Sequence, residues 1–209
     1  VRFWQDRRHE RASGDHGRRR QPRRGCVGYS GSQPGRTLTE TSAAGGTFLA
    51  RLCVDWESEA LRADRATRVA LLRTAPAIHR EGVLKPMIRL ADLELGGPIG
   101  GGRRTWPWIS VDDEVRGIMH ALDRELEGPL NLAGPVPASA NEIGRALAHA
   151  MHRQFLAPAP RFALNLALGR DATESLLTAD APVRPAVLER SGFSFAHPIA
   201  ASAVRAALT

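Results

Sequence analysis

The chain has 209 residues, 43% hydrophobic and 24% charged, with a mean hydropathy of −0.26. That is enough to bury one ordinary core, and it is unlike a disordered or fibrous composition. No apolar run approaches the roughly 18–20 residues of a membrane span, and Cys26 and Cys53 supply neither a disulfide framework nor metal-ligand spacing. The expectation is therefore a cytoplasmic protein with no membrane segment and no metal.

The net charge of +7 first suggests a polyanion partner, but nine arginines against Asp6, Glu10 and Asp15 place six of those charges within residues 1–25. That segment has no hydrophobic period and few large apolar groups, so it is predicted to be a disordered Arg-rich tail. Only Phe3 and Trp4 could stack on bases, which favours a solvated tail over a nucleic-acid arm.

Structure is expected to begin near Cys26 as a short strand ending at Gly31, followed by a polar loop to Gly46. Thr47 reads as an N-cap for a helix whose apolar face is Phe48, Leu49, Leu52, Trp56 and Ala60. The compact run Val69–Leu72 is of strand type, and helix followed by buried strand is the second half of a parallel crossover unit. A further helix is predicted from about Val83 to Leu93, with Val83, Met87, Leu90 and Ala91 on one face. The glycine run 96–102 lacks a Gly-Lys-Ser/Thr ending, contains Pro98 and precedes a strand. It reads as a mobile loop rather than a phosphate cradle.

Trp106 to Val111 reads as a buried strand, with Asp112 and Asp113 as cap and dipole partner of a helix bearing Val115, Ile118, Met119 and Leu122. Gly128-Pro129 ends that helix, Leu130–Leu132 is a second strand, and Ser139 with Glu142 forms a capping box for another helix. Helical segments are expected at 162–168, 174–177, 187–190 and 199–208, with a short strand at Gly192–Phe195. Strand, capped helix and strand in that order predict a layered α/β fold.

Taken alone, the residues with chemical potential are modest. Asp112 and Asp113 fit a helix cap better than an acid–base pair, and His120, His149 and His152 lack metal-type spacing. Cys53, on an apolar helix face, is core in the simpler reading and a nucleophile in the other. Trp106 and Trp108 alternate, so one should pack inward while its neighbour faces a cleft or a loop.

An ordered set of segments nevertheless resembles a known family. The set is Val27-Gly-Tyr29-Ser-Gly31, Leu38-Thr-Glu40, Phe48-Leu-Ala-Arg-Leu-Cys53-Val-Asp-Trp56-Glu57, Val69-Ala-Leu-Leu-Arg73-Thr74, the glycine run to Arg103, Trp108-Ile-Ser-Val-Asp112-Asp113, Gly128-Pro-Leu-Asn131-Leu-Ala133, and Pro182 to His197. It is similar to the epimerase-like subgroup of the NAD-dependent epimerase/dehydratase proteins, within the extended short-chain dehydrogenase/reductases. The resemblance implies a partial Rossmann-like parallel sheet with flanking helices and a small C-terminal substrate-side region. In those terms the chain divides into a tail at 1–25, a partial Rossmann-like domain at 26–135 and a helical C-terminal region at 136–209.

The same resemblance implies NAD or NADP as cofactor, and epimerase, dehydratase or reductase chemistry on a nucleotide sugar or related small molecule. Carried over residue by residue, it puts Cys53 and Glu57 at the catalytic positions and Tyr29, Arg73 and Thr74 beside the cofactor. Trp56, Trp108 and Asn131 fall on the substrate side. The sequence departs from the wider superfamily in three ways. Cys53 and Glu57 stand where a Tyr-x-x-x-Lys pair is usual, Ser110 where His is common, and no Gly-rich dinucleotide turn precedes Cys26. The expectation is a truncated relative of these enzymes whose activity the sequence leaves open, or, as the alternative, a non-catalytic fragment or interaction protein whose basic arm binds polyanions. An incomplete parallel sheet would also present an edge open to oligomerisation.

Overall fold

The computed structural model describes residues 20–62, 67–98, 104–156 and 180–209. Its centre is a three-stranded parallel sheet in the order β1-β2-β6, formed by β1 (Arg20–Cys26), β2 (Arg68–Thr74) and β6 (Gly128–Leu132). Register pairs Arg24 with Leu72 and Leu72 with Leu130. Two small pairs flank it: β3 (Ala77–Ile78) with β5 (Ile109–Ser110) in parallel, and β4 (Thr105–Trp106) with β7 (Ala138–Ser139) antiparallel. The parallel α/β arrangement is the expected fold class.

β1 begins six residues before the expected start of structure, inside the arginine-rich stretch, and Val27–Ser30 is a 3-10 turn rather than a strand. A parallel ladder is made by backbone groups, so a charge-rich sequence does not bar a strand from an edge. Pro22, which lacks an N–H, is likewise tolerated on an edge strand. The rest of the predicted tail, 1–19, and the predicted helices at 162–168 and 174–177 lie outside the described residues.

Helices α1 (Phe48–Leu61) and α3 (Val111–Asp123) cover opposite faces of the sheet. Leu72, Leu130 and Leu132 pack with Ala121 and Leu188 on the α3 side, whereas Arg73, one residue out of phase, reaches Glu57 of α1. Both helices turn an unexpected face inward. α1 buries Ala50, Cys53, Glu57 and Ala60 while Phe48 is 74% exposed, and α3 buries Asp113, Gly117 and Ala121 while Val115 and Met119 are exposed. Small residues let each helix approach the sheet closely. A Cβ added at Gly117 would lie only 3.1 Å from Leu132 Cδ2.

A second core joins α2 (Lys85–Asp92), α4 (Ala140–Ala150) and α6 (Ala200–Leu208) through Leu90, Ile143, Leu147 and Val204. A short helix, α5 (Ala186–Arg190), precedes a turn at Gly192–Phe195 where a strand was expected. There Phe193 and Phe195 meet edge to face, so aromatic packing rather than a ladder holds the segment. Among the described residues no helix is long and apolar enough to cross a membrane.

The predicted capping box is present: Glu142 N–H donates to Ser139 Oγ at 3.2 Å and Ser139 N–H to Glu142 Oε2 at 2.6 Å. The Ser139 backbone N–H, and then its hydroxyl, hold the Glu142 carboxyl below its ordinary range. A folded-state pKa depressed in this way adds stability at pH above the unfolded value, and that stability is lost as pH falls through the folded value. Ser139→Ala should cost about 1 kcal/mol at pH 7 by urea denaturation. The deficit should shrink on acidification; a deficit that grew below pH 4 would refute the reciprocal cap.

Candidate functional site

The carboxyl ends of parallel strands are where open α/β sheets bind ligands, because helix N-termini and loops converge there. In this chain Tyr29 follows β1, Arg73 and Thr74 end β2, and Asn131 lies near the end of β6, paired in register with Arg73.

The arginine organises the group. Its side chain is 4% exposed and forms a fork with Glu57, Nε donating to Oε1 at 2.7 Å and Nη2 to Oε2 at 2.8 Å. Nη1 donates to the Glu40 carbonyl at 3.2 Å, and the guanidinium lies 3.5 Å from the centre of the Tyr29 ring. Planar stacking and a two-point carboxylate bond use the shape of arginine in a way lysine could not. Tyr29 is held from the other side as well, its carbonyl accepting from Gly45 N–H at 2.8 Å. A side chain at Gly45 would come within 2.8 Å of the Ser30 carbonyl, so the close approach of this loop depends on glycine.

Asn131 joins the network through Glu40. Buried Glu40 accepts from the backbone N–H groups of Asn131 and Val187 with one oxygen, Oε1, each at 3.1 Å. The Asn131 amide nitrogen donates to the Arg184 carbonyl at 3.0 Å. Glu40 therefore ties the outer edge of β6 to the first turn of α5. Its other oxygen, Oε2, and the Thr74 hydroxyl are buried without a hydrogen-bond partner among the described residues.

The structure thus brings Tyr29, Arg73 and Glu57 into direct contact, with Cys53 one turn before Glu57 on the same inner face of α1. It separates the others. Cys53 is 0% exposed, buried among core side chains rather than open to a cleft. Trp56 is 49% exposed on the outer side of α1. Trp106 and Trp108 are both buried, so neither faces a cleft, and Trp108 Nε1–H donates to the Val136 carbonyl at 3.1 Å. Glu57 is paired with Arg73 rather than open to a cleft.

Two groups that sequence reasoning passed over carry much of the geometry. Glu40 was legible only as part of a Leu-Thr-Glu segment, since nothing local distinguishes a buried acid from a surface one. Ser110, not either aspartate, caps α3, its Oγ accepting from Asp113 N–H at 3.0 Å. Among the described residues no group of three His, Cys, Asp or Glu side chains gathers as a metal site.

Comparison with known proteins gives this geometry a context. Residues 159–207 match a domain of unknown function, DUF1731. An epimerase family protein of Mycobacterium leprae is 43% identical over 187 residues, which are 88% of this chain and 61% of the relative. A chloroplastic epimerase family protein of Arabidopsis thaliana is 34% identical over 183 residues, 87% of this chain and 52% of its own length. The chain thus spans between half and two thirds of these relatives. Among solved structures, the human epimerase family protein SDR39U1 with NADPH superposes with a TM-score of 0.80 at 26% identity, over 90% of this chain and 64% of that one. A nucleoside-diphosphate sugar epimerase of Corynebacterium glutamicum gives 0.69 at 29% identity, over 88% and 36%.

Proposed function

We propose, from the premise that the chain belongs to the epimerase family within the NAD-dependent epimerase/dehydratase superfamily, that it forms the nicotinamide and substrate side of an NAD(P)-dependent cleft acting on a nucleotide sugar or related small molecule. The observation that carries this reading is the Tyr29–Arg73–Glu57 unit at the carboxyl ends of β1 and β2.

The fit to a dinucleotide is one-sided. At the nicotinamide end, Tyr29 offers a phenol and Thr74 a buried, unpaired hydroxyl able to bind a carboxamide. For the pyrophosphate, no Gly-rich strand-to-helix turn occurs among the described residues. When bound, the dinucleotide would supply or accept a hydride. This chain's own residues would orient its nicotinamide end and exclude water, and Tyr29 is the one side chain there suited to holding a proton. Cys53 and Glu57, at the positions of the superfamily's usual pair, support a different division of labour. The arginine, not a lysine, is the cation beside the tyrosine ring, and Glu57 holds it in place.

Titration with NADPH and NADH, following nicotinamide fluorescence and thermal stability together, tests the reading. Binding should stabilise the fold by about 2.7 kcal/mol at a ligand concentration one hundred times Kd. Tyr29→Phe should leave binding nearly intact while removing any turnover. A well-folded sample that binds neither nucleotide, with or without a second chain completing the cleft, would end the cofactor proposal.

A further inference from the structure

Residues 180–187 lie inside the stretch 159–207 that matches a domain of unknown function, and they run beside the loop that joins Tyr29 to α1. Gln33 N–H donates to the Asp180 carbonyl at 3.0 Å. Ser32 Oγ donates to the same carbonyl at 3.2 Å and accepts from Asp180 N–H at 3.1 Å. Further along, Leu38 and Val183 form a parallel bridge. Leu38 N–H donates to the Pro182 carbonyl at 2.9 Å, and Arg184 N–H to the Leu38 carbonyl at 2.8 Å. Leu38 is 2% exposed and Val183 5%, so water does not compete for these bonds.

Two residues beyond Leu38 this pairing reaches the site. Glu40 Oε1 accepts from Val187 N–H, in the first turn of α5, and from Asn131 N–H. The Glu40 carbonyl, on the backbone fixed in this way, accepts from Arg73 Nη1. Glu57 holds the guanidinium through Nε and Nη2, and the face of the group lies against the Tyr29 ring. The fork to Glu57 alone would let a planar guanidinium tilt about the line of the two bonds. A third bond, from Nη1, removes that freedom. One side of the arginine is thus held by α1 and the other by residue 40, whose place the C-terminal segment sets. Covering the edge of β6 would ask only for backbone pairing with β6; these bonds run instead to residues 32, 33, 38 and 40.

We infer that residues 180–187 are a positioning element of the proposed site, and that Glu40 is the positioning residue through which they orient Arg73 over Tyr29. The consequence for ligand binding rests on the cofactor reading. The orientation itself is measurable without a ligand.

Tyr29 is the one tyrosine of the chain, so the full protein grown with fluorotyrosine gives a single fluorine resonance that reports the guanidinium on its ring. Glu40→Ala should displace or broaden that line and raise the Kd for NADPH by about tenfold or more. Glu40→Gln should keep the parental line and affinity. Its amide oxygen can replace Oε1, and Oε2 has no hydrogen-bond partner among the described residues to lose. Leu147→Ala, which opens a cavity in the helical core, is the control: it should lower thermal stability and leave line and affinity parental. If Glu40→Ala does not fold, Glu40→Asp takes its place, its carboxylate drawn back by one methylene, and a displaced line is again expected. A parental line in both of these variants, or an equal displacement in Leu147→Ala, would overturn the inference. If the line moves as expected but the parent binds no NADPH, the positioning stands and the cofactor reading falls. If the parent binds NADPH and Glu40→Ala changes neither line nor Kd, the cofactor reading stands and the positioning falls.

Discussion

Glu57→Ala should lower stability by about 3–5 kcal/mol, one of the two largest single-residue effects expected in this protein. The loss comes less from the missing attraction than from what remains behind. Arg73 would keep its charge, with its side chain only 4% exposed, and would retain only the Glu40 carbonyl and the Tyr29 ring as partners. Glu57→Gln keeps the shape and one acceptor, so it should cost less. Replacing both members by apolar residues, Glu57→Leu with Arg73→Met, should cost clearly less than the two single changes added together, because no buried charge is then stranded. Urea denaturation of the four proteins in the cycle measures this. A loss under about 1 kcal/mol for Glu57→Ala would mean that water reaches the guanidinium. Glu57 would then be available for chemistry, and its assignment as the support of Arg73 would fail.

How far this site was legible follows from what each part depends on. The strand at 68–74, the Thr47 cap and the Ser139–Glu142 box depend on local sequence, and they stand where the sequence placed them. Which face of α1 and α3 turns inward depends on the sheet beneath. A helix pressed onto a sheet is selected for small residues at the contact, so the largest apolar side chains did not mark the core. Hydrophobic periodicity located both helices and misjudged their orientation for the same reason. The site residues divide in the same way. Family likeness brought Tyr29, Glu57, Arg73 and Asn131 forward together. Only the folded arrangement shows that Glu57 supports Arg73 and that Asn131 is bound into the Glu40 network. Sequence spacing cannot distinguish a catalytic carboxylate from a paired one, because the distinction lies in a partner sixteen residues away.

Asp113→Ala should be comparably severe, at about 3–5 kcal/mol, whereas its neighbour Asp112→Ala should cost about 0.3–1 kcal/mol. Both acids sit in the first turn of α3 and are equivalent to any reading of the sequence. Asp112 is exposed and interacts with the helix dipole alone, while Asp113 is 1% exposed. The Asp113 carboxylate accepts from Ser110 Oγ at 2.8 Å, Arg116 Nη1 at 3.2 Å, Ala196 N–H at 2.7 Å and His197 N–H at 2.9 Å. The last two bonds fasten the chain just before α6 to the start of α3, and so help to join the helical core to the sheet. Removing the carboxylate leaves two backbone donors without partners, and each stranded donor costs about 1–3 kcal/mol. Asp113→Asn should do little better, since its amide NH2 would be turned toward one of those donors. Amide exchange at Ala196 and His197 should accelerate in Asp113→Ala well beyond the change in global stability, and stay unchanged relative to it in Asp112→Ala. Equal losses for the two alanine variants would show that the C-terminal segment is held by the packing of Phe193 and Phe195, and that the aspartate serves only as a helix-terminal charge.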